Sequence, residues 1–358
     1  SETPADISPT HAKLLKIRER KDLEAQPSSY MRESFMGFDG NEHPLKLRYY
    51  QVQGVMHLLA CTRFLLGDDT GLGKCASPDT LVTTRHGVVP IGSLHPWEGM
   101  SPDTFVPVST PAEVWTGWEW APVKNFYFGG VKPVRTVTTR RGYEVTGSLV
   151  HPLWVRDSEG REAFVKMSHL GVGASMGISR TPVEFPAQEP AIPTPHCDGL
   201  HHNTEVFEVP DTLTPDLAAL LGYVVAEGYT AQGNQFTITQ HRDRNPEVHD
   251  HIRGLLASVC GWAGNGSAAN KDTTISVSSV YIRSYLEGLG VHQVLSAEKS
   301  VPWPIFRGSR DSVAAFLRAF FDSEGSVGSG VVEVSSASER MLKEVQVLLL
   351  RFGIICTR

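Results

Sequence analysis

Lys74 closes a glycine-bearing loop, Asp68-Asp69-Thr70-Gly71-Leu72-Gly73-Lys74, directly after the short apolar run 63–67. A strand followed by such a loop opens a phosphate-binding site. Gly71 and Gly73 let backbone N–H groups face phosphate oxygens, and Lys74 reaches the terminal phosphates of a nucleotide such as ATP with its Mg²⁺. The residue after the lysine should be Ser or Thr, to hold that ion, but it is Cys75. A second chemistry rests on Glu227 and Glu324. Each ends an apolar helix in a Glu-Gly pair, in 215–228 (PDLAALLGYVVAEG) and again in 312–325 (SVAAFLRAFFDSEG). Small residues recur on one face of each helix (Ala218, Ala219, Gly222; Ala315, Ala319), so the two can pack closely. A carboxylate at a helix C-terminus faces the negative end of the dipole, and pairing the helices brings the two acids together. Like charges there call for a cation, most simply Mg²⁺, and two metal-held carboxylates beside a duplex suit phosphodiester hydrolysis.

The elements that must position these groups follow from local pattern. A phosphate loop must run into a helix, whose dipole helps hold the phosphates. Here the chain continues CASPDTLVTTRHGVVPIGSL, with Pro78 soon after the lysine, and reads as two short strands around a turn at Arg85-His86-Gly87. The loop is interrupted. From 114 to 179 the pattern stays strand-rich, 182–195 is proline-rich and reads as a linker, and after Thr214 helices of about ten residues mix with short strands. Thr214 and Asp311 can cap the two acid-ended helices.

The bulk numbers narrow the class. A chain of 358 residues, 41% hydrophobic and 20% charged, is long enough for several domains with real cores. The net charge of −6 argues against a chain that holds DNA by bulk electrostatics alone, and from residue 211 onward 15 acidic residues face 13 basic ones. Five scattered cysteines with no C-x-x-C pair favour a reducing, cytoplasmic setting over a disulfide scaffold. No apolar run is long enough for a membrane span.

Three resemblances attach to these residues. Leu47-Arg48-Tyr49-Tyr50-Gln51 with Gly54, followed by the loop ending at Lys74, resembles the start of a Swi/Snf-type helicase. The resemblance implies that Gln51 recognises adenine. The segment from Cys75, with Asp79-Thr80-Leu81-Val82 and Gly87–Ile91, resembles the N-terminal motif of inteins. Gly147-Ser148-Leu149-Val150-His151-Pro152 resembles a second intein motif, and 164–173 a further strand of the same fold. What this implies is an all-β Hint domain in which Cys75 attacks the Lys74 carbonyl to make a thioester. His151 would protonate the leaving amide nitrogen, and the Ser148 hydroxyl would help hold the oxyanion. The repeated acid-ended helices resemble the paired motifs of LAGLIDADG homing endonucleases, with Lys299-Ser300-Val301-Pro302 similar to that family's lysine motif and 348–354 to the motif after the second helix. Lys299 then joins Glu227 and Glu324 as a catalytic residue, with double-stranded DNA as partner.

The resulting expectation is a multidomain chain: 1–74 the start of a P-loop α/β helicase, 75–195 the Hint splicing domain, and 196–358 an α+β LAGLIDADG endonuclease domain truncated at its C-terminal end. An intein ends in His-Asn before Cys, Ser or Thr, and no such ending is present. Splicing therefore needs a separate C-terminal intein fragment, and the ATP site would form only afterwards. The alternatives are an inactive remnant of a frame-interrupted helicase gene and an ATP-binding helicase fragment.

Overall fold

The computed structural model describes residues 34–36, 42–44, 76–117, 119–179, 183–195, 205–230, 235–262, 273–292 and 294–358. The chain forms two compact units, Ser1–Leu72 and Gly73–Arg358. In the first unit β1 (Ser34–Met36) pairs antiparallel with β2 (Glu42–Pro44). The expected helicase elements, with Gln51, Gly71, Gly73 and Lys74, and the expected nucleophile Cys75 lie outside the described residues.

The second unit begins with β-structure. Where a phosphate loop would need a helix, β3 (Leu81–Thr84) and β4 (Gly87–Pro90) form a tight hairpin instead. Gly87 at φ +100° and the Thr84 hydroxyl donating to the Gly87 carbonyl (2.8 Å) close its turn. The long strands β5 (Thr104–Trp115) and β6 (Trp120–Phe128) complete a four-stranded sheet in the order β4-β3-β5-β6. A separate hairpin, β7 (Val134–Thr138) with β8 (Glu144–Ser148), leads into β9 (Pro152–Arg156), β10 (Glu162–Lys166) and β11 (Ser175–Met176), ordered β10-β9-β11. The core here is small: Val155, Met167 and Leu170, with Val137, Val145 and Leu153 packed against them.

The remainder mixes helix and sheet. Helix α1 (Pro215–Glu227) is followed by β12 (Gly228–Thr230), β13 (Gln235–Thr239), α2 (Pro246–Cys260), β14 (Thr274–Ser278), α3 (Val280–Gly288) and the short α4 (Trp303–Arg307). The pattern then restarts with α5 (Arg310–Glu324), β15 (Gly325–Gly328), β16 (Val331–Val334) and α6 (Glu339–Arg351). The internal repeat seen in sequence is thus a helix running straight into an antiparallel hairpin, twice. Every residue from Leu217 to Ala226 is buried, which explains why α1 is apolar on all sides. It is the centre of the main core, among Ile238, Ile252, Leu256, Ile275, Tyr285, Phe316 and Phe320. The two acid-ended helices, α1 and α5, are 13 and 15 residues long, longer than their apolar pattern indicated. Thr214 caps α1 as expected, accepting from the Leu217 amide at 3.1 Å. For α5 the cap is Ser309 rather than Asp311: the helix starts earlier, and the Ser309 hydroxyl accepts from the Ser312 amide.

The proline-rich segment is a packed strap rather than a free linker. Ile192 is buried, Glu189 accepts hydrogen bonds from the Ser309 amide (3.0 Å) and the Ser312 hydroxyl (2.6 Å), and Ala191 bridges Thr212. Among the described residues no helix is long and apolar enough to cross a membrane.

Candidate active site

Helices α1 and α5 approach at Gly222. A β-carbon there would lie 2.6 Å from the Phe316 carbonyl oxygen and 2.8 Å from the Ala319 β-carbon, so only glycine permits this backbone contact. Both helices stop at glycine for a related reason. Gly228 and Gly325 are extended (φ −81° and −88°), and a β-carbon on either would strike the carbonyl of Val224 or Phe321 in the last helical turn. Each chain therefore leaves its helix abruptly into a strand, with Glu227 and Glu324 at the two exits.

Lys299 lies at the end of α1, within electrostatic reach of both acids. Its ammonium donates to the carbonyl oxygens of Gly228 (2.8 Å), Val225 (3.1 Å) and Ala226 (3.3 Å), capping the negative end of α1. Burial lowers the Lys299 pKa, opposed by Glu324 and then Glu227. Burial raises the Glu227 carboxyl, with Lys299 pulling it back. Glu324 is raised by burial first and by Glu227 second, again opposed by Lys299. These shifts describe two acids and one base close enough to feel one another in a partly dry setting. A cavity of about 290 Å³ opens beside Lys299, lined by Val224, Gly228, Tyr229 and Arg283 among others but by neither Glu227 nor Glu324.

The backbone of the lysine segment is itself held. The Ser338 hydroxyl, fully buried, donates to the Lys299 carbonyl at 2.6 Å, and Glu344 accepts from the Val301 amide at 2.7 Å. Both belong to α6 or its cap, and neither was singled out in the sequence. Ser338 leaves there the signal of a cap residue followed by an acid, Glu339, at the start of an amphipathic helix, and Glu344 leaves none.

The donor set suits a hard divalent cation. Glu227 and Glu324 offer oxygen only, and burial makes their joint ionisation costly without an added positive charge. Among the described residues no three His, Cys, Asp or Glu side chains gather as a self-sufficient metal cage. Mg²⁺ is commonly held in this way, by one or two carboxylates with water and substrate phosphate completing its shell.

A second cluster lies at the end of β8. Ser148 is buried, its carbonyl accepts from the His151 amide (2.8 Å), and the His151 carbonyl accepts from the Met167 amide (2.8 Å). Ala76 forms an antiparallel bridge with Gly147, and the Ser77 amide donates to the Thr146 carbonyl at 3.1 Å. The sequence neighbour of Cys75 is thereby paired with the sequence neighbour of Ser148.

Residues 311–358 match the protein-family model described as a LAGLIDADG-like domain. Among curated relatives, the chain is 28% identical over 164 residues to the glutamine–fructose-6-phosphate aminotransferase (isomerizing) of Methanocaldococcus jannaschii, covering 45% of this chain and 15% of that protein. It is 24% identical over 317 residues to the replication factor C small subunit of the same organism, covering 86% of this chain and 15% of the relative. With the replicative DNA helicase DnaB of Nostoc sp. it shares 23% identity over 258 residues, 67% of this chain and 26% of that protein. The chain thus spans less than a third of the length of each of these relatives. The stretch matched by the family model starts one residue into α5, contains Glu324, and runs through the helix that fastens Lys299: residues 311–358 carry a LAGLIDADG-like domain.

Proposed function

We propose that the α/β part is a metal-dependent, site-specific DNA endonuclease whose acids are Glu227 and Glu324 and whose buried base is Lys299. The observation that carries this reading is the convergence of all three at the ends of two helices packed through Gly222. The two carboxylates would hold Mg²⁺, which when bound would supply Lewis-acid polarisation of a phosphodiester and of the attacking water. Lys299 holds the exit of α1 in place and sets a positive charge beside the acids, where the negative charge of a phosphate in attack would develop. The test is calorimetric titration of the full chain with Mg²⁺ and with Ca²⁺. Binding that is lost in Glu227→Gln and in Glu324→Gln supports the assignment, and equal binding by the double variant refutes it.

We further propose that this nuclease is nested in an intein within a Swi/Snf-type helicase, with Cys75 the nucleophile and Ser148 and His151 its assistants. The register Ala76–Gly147 supports it, because it brings the chain on either side of these residues together. The relatives support it differently. The relatives carry names as different as an aminotransferase, a replication factor and a helicase, so a match to all three accords with a common inserted element. An ATPase host, its phosphate loop rebuilt at Lys74 by splicing, accords with the replication factor and helicase names. A reducing, cytoplasmic setting accords with free thiols at Cys260 and Cys356. Thiol-induced release of residues 1–74 that disappears in Cys75→Ala tests the splicing assignment.

A further inference from the structure

The hairpin β7–β8 is a two-stranded sheet of its own, and such hairpins are marginal without outside support. One end is tied down by Arg135, which donates to the Met167 carbonyl at 2.6 Å. The turn at the other end is gripped by the LAGLIDADG-like domain. Gln346 of α6, 3% exposed, donates to the Arg141 carbonyl at 2.8 Å. The Arg358 amide donates to the same carbonyl at 3.0 Å, and its guanidinium to the Gly142 carbonyl at 3.0 Å. Glu144, the first residue of β8, accepts from Lys343 of α6 at 2.8 Å and from Arg358 at 2.6 Å. Gly142, at φ +86°, has its open side filled by the Arg358 side chain.

Another face of the same helix fastens the nuclease lysine through Ser338 and Glu344. From these contacts we infer that α6 is a strut shared by the two sites, and that Gln346 and Lys343 are positioning residues for Ser148 and for the Ala76–Gly147 pairing. Three residues separate Glu144 from Ser148 along one strand, so a grip at its start fixes the axial place and twist of its end. The nuclease-like domain therefore has a structural duty toward the splice junction that is separate from DNA cleavage. This inference rests on the splicing reading only for its catalytic consequence, because the mechanical consequence is measurable without it.

The test uses the full chain and the variants Gln346→Leu, Lys343→Met and Lys343→Arg, with Glu162→Gln as a surface control whose partner is the exposed Arg156. Two quantities are read: the rate of thiol-induced release of residues 1–74, and hydrogen exchange at the Ser77 amide, which reports the bond to Thr146. Gln346→Leu and Lys343→Met should slow release by about tenfold or more, since misplacement by an ångström can cost a hundredfold. They should also speed Ser77 exchange by more than any accompanying loss of global urea stability accounts for, while Lys343→Arg and the control behave as wild type. Unchanged Ser77 exchange in Gln346→Leu and Lys343→Met overturns the inference. A wild-type chain that releases no fragment refutes the role of Cys75, and Ser77 exchange still decides the strut.

Discussion

The ammonium of Lys299 lies 2.8 Å from the carbonyl oxygen of Gly228, closing a helix end that its own last residue, Glu227, would otherwise make more negative. A carboxylate at that place opposes the dipole, and the lysine offsets both. Lys299→Met should therefore cost about 1–3 kcal/mol of stability, the usual effect of removing a charged donor from part-buried acceptors. It should also remove the positive charge that pulls the raised Glu227 and Glu324 carboxyls back down. Urea denaturation with and without Mg²⁺ checks this: the variant's deficit should be largest without the ion and should shrink when the ion is added.

At Gly222 the backbone of α1 lies directly against that of α5. Gly222→Ala must push the helices apart or bend one of them, an overpacking cost of about 1–3 kcal/mol. The same shift separates Glu227 from Glu324, so Mg²⁺ affinity should fall together with the urea midpoint. Gly254→Ala, at a helical position with open space around it, should leave ion binding unchanged and serves as the comparison.

Glu344 holds the Val301 amide while Arg340 holds Glu344. Glu344→Leu should loosen the lysine segment without touching either acid. The expected result is a drop of about tenfold in DNA cleavage, with Mg²⁺ affinity little changed, and faster amide exchange at Val301.

Glu144 has its carboxyl held below the usual range, first by the hydrogen bond from Lys343 and then by Arg358. Lys343 is held above its usual value, first by Glu144 and then by Glu339. A depressed acid stabilises above its unfolded pKa, about 4.3, and loses that contribution as pH falls through the folded value. A raised lysine stabilises below its unfolded pKa, about 10.4, and loses the contribution as pH rises through the folded value. The grip of α6 on the β7–β8 hairpin is thus strongest between these limits. Both groups remain partly exposed, so the difference between wild type and Glu144→Gln should be about 1 kcal/mol or less at neutral pH. That difference should begin to shrink as pH falls past about 4.3 and be lost only once pH is below the depressed folded value, and urea midpoints across pH measure it.

The parts of this fold that were legible in sequence share a local cause. Glu227-Gly228 and Glu324-Gly325 stood out because an acid at a helix end breaks a local preference, and the β3–β4 hairpin because Pro78 and Gly87 forbid the helix a phosphate loop requires. What was illegible depends on distant partners. The strap at 183–195 reads as a linker by composition, and only its neighbours make Ile192 and Glu189 buried or bonded. The cap of α5 moved from Asp311 to Ser309 because both residue types can cap, and the start of the helix chose between them. Ser338, Glu344 and Gln346 look like ordinary helix residues until the segments they touch, including one near Arg141 far back in the chain, are folded against them.

The most direct test of the central claim is Mg²⁺-dependent cleavage of a DNA duplex carrying the uninterrupted host gene across the Lys74 codon. The wild-type chain should make a double-strand break near that codon, and the Glu227→Gln, Glu324→Gln double variant should make none. Undiminished cutting by the double variant would contradict the account.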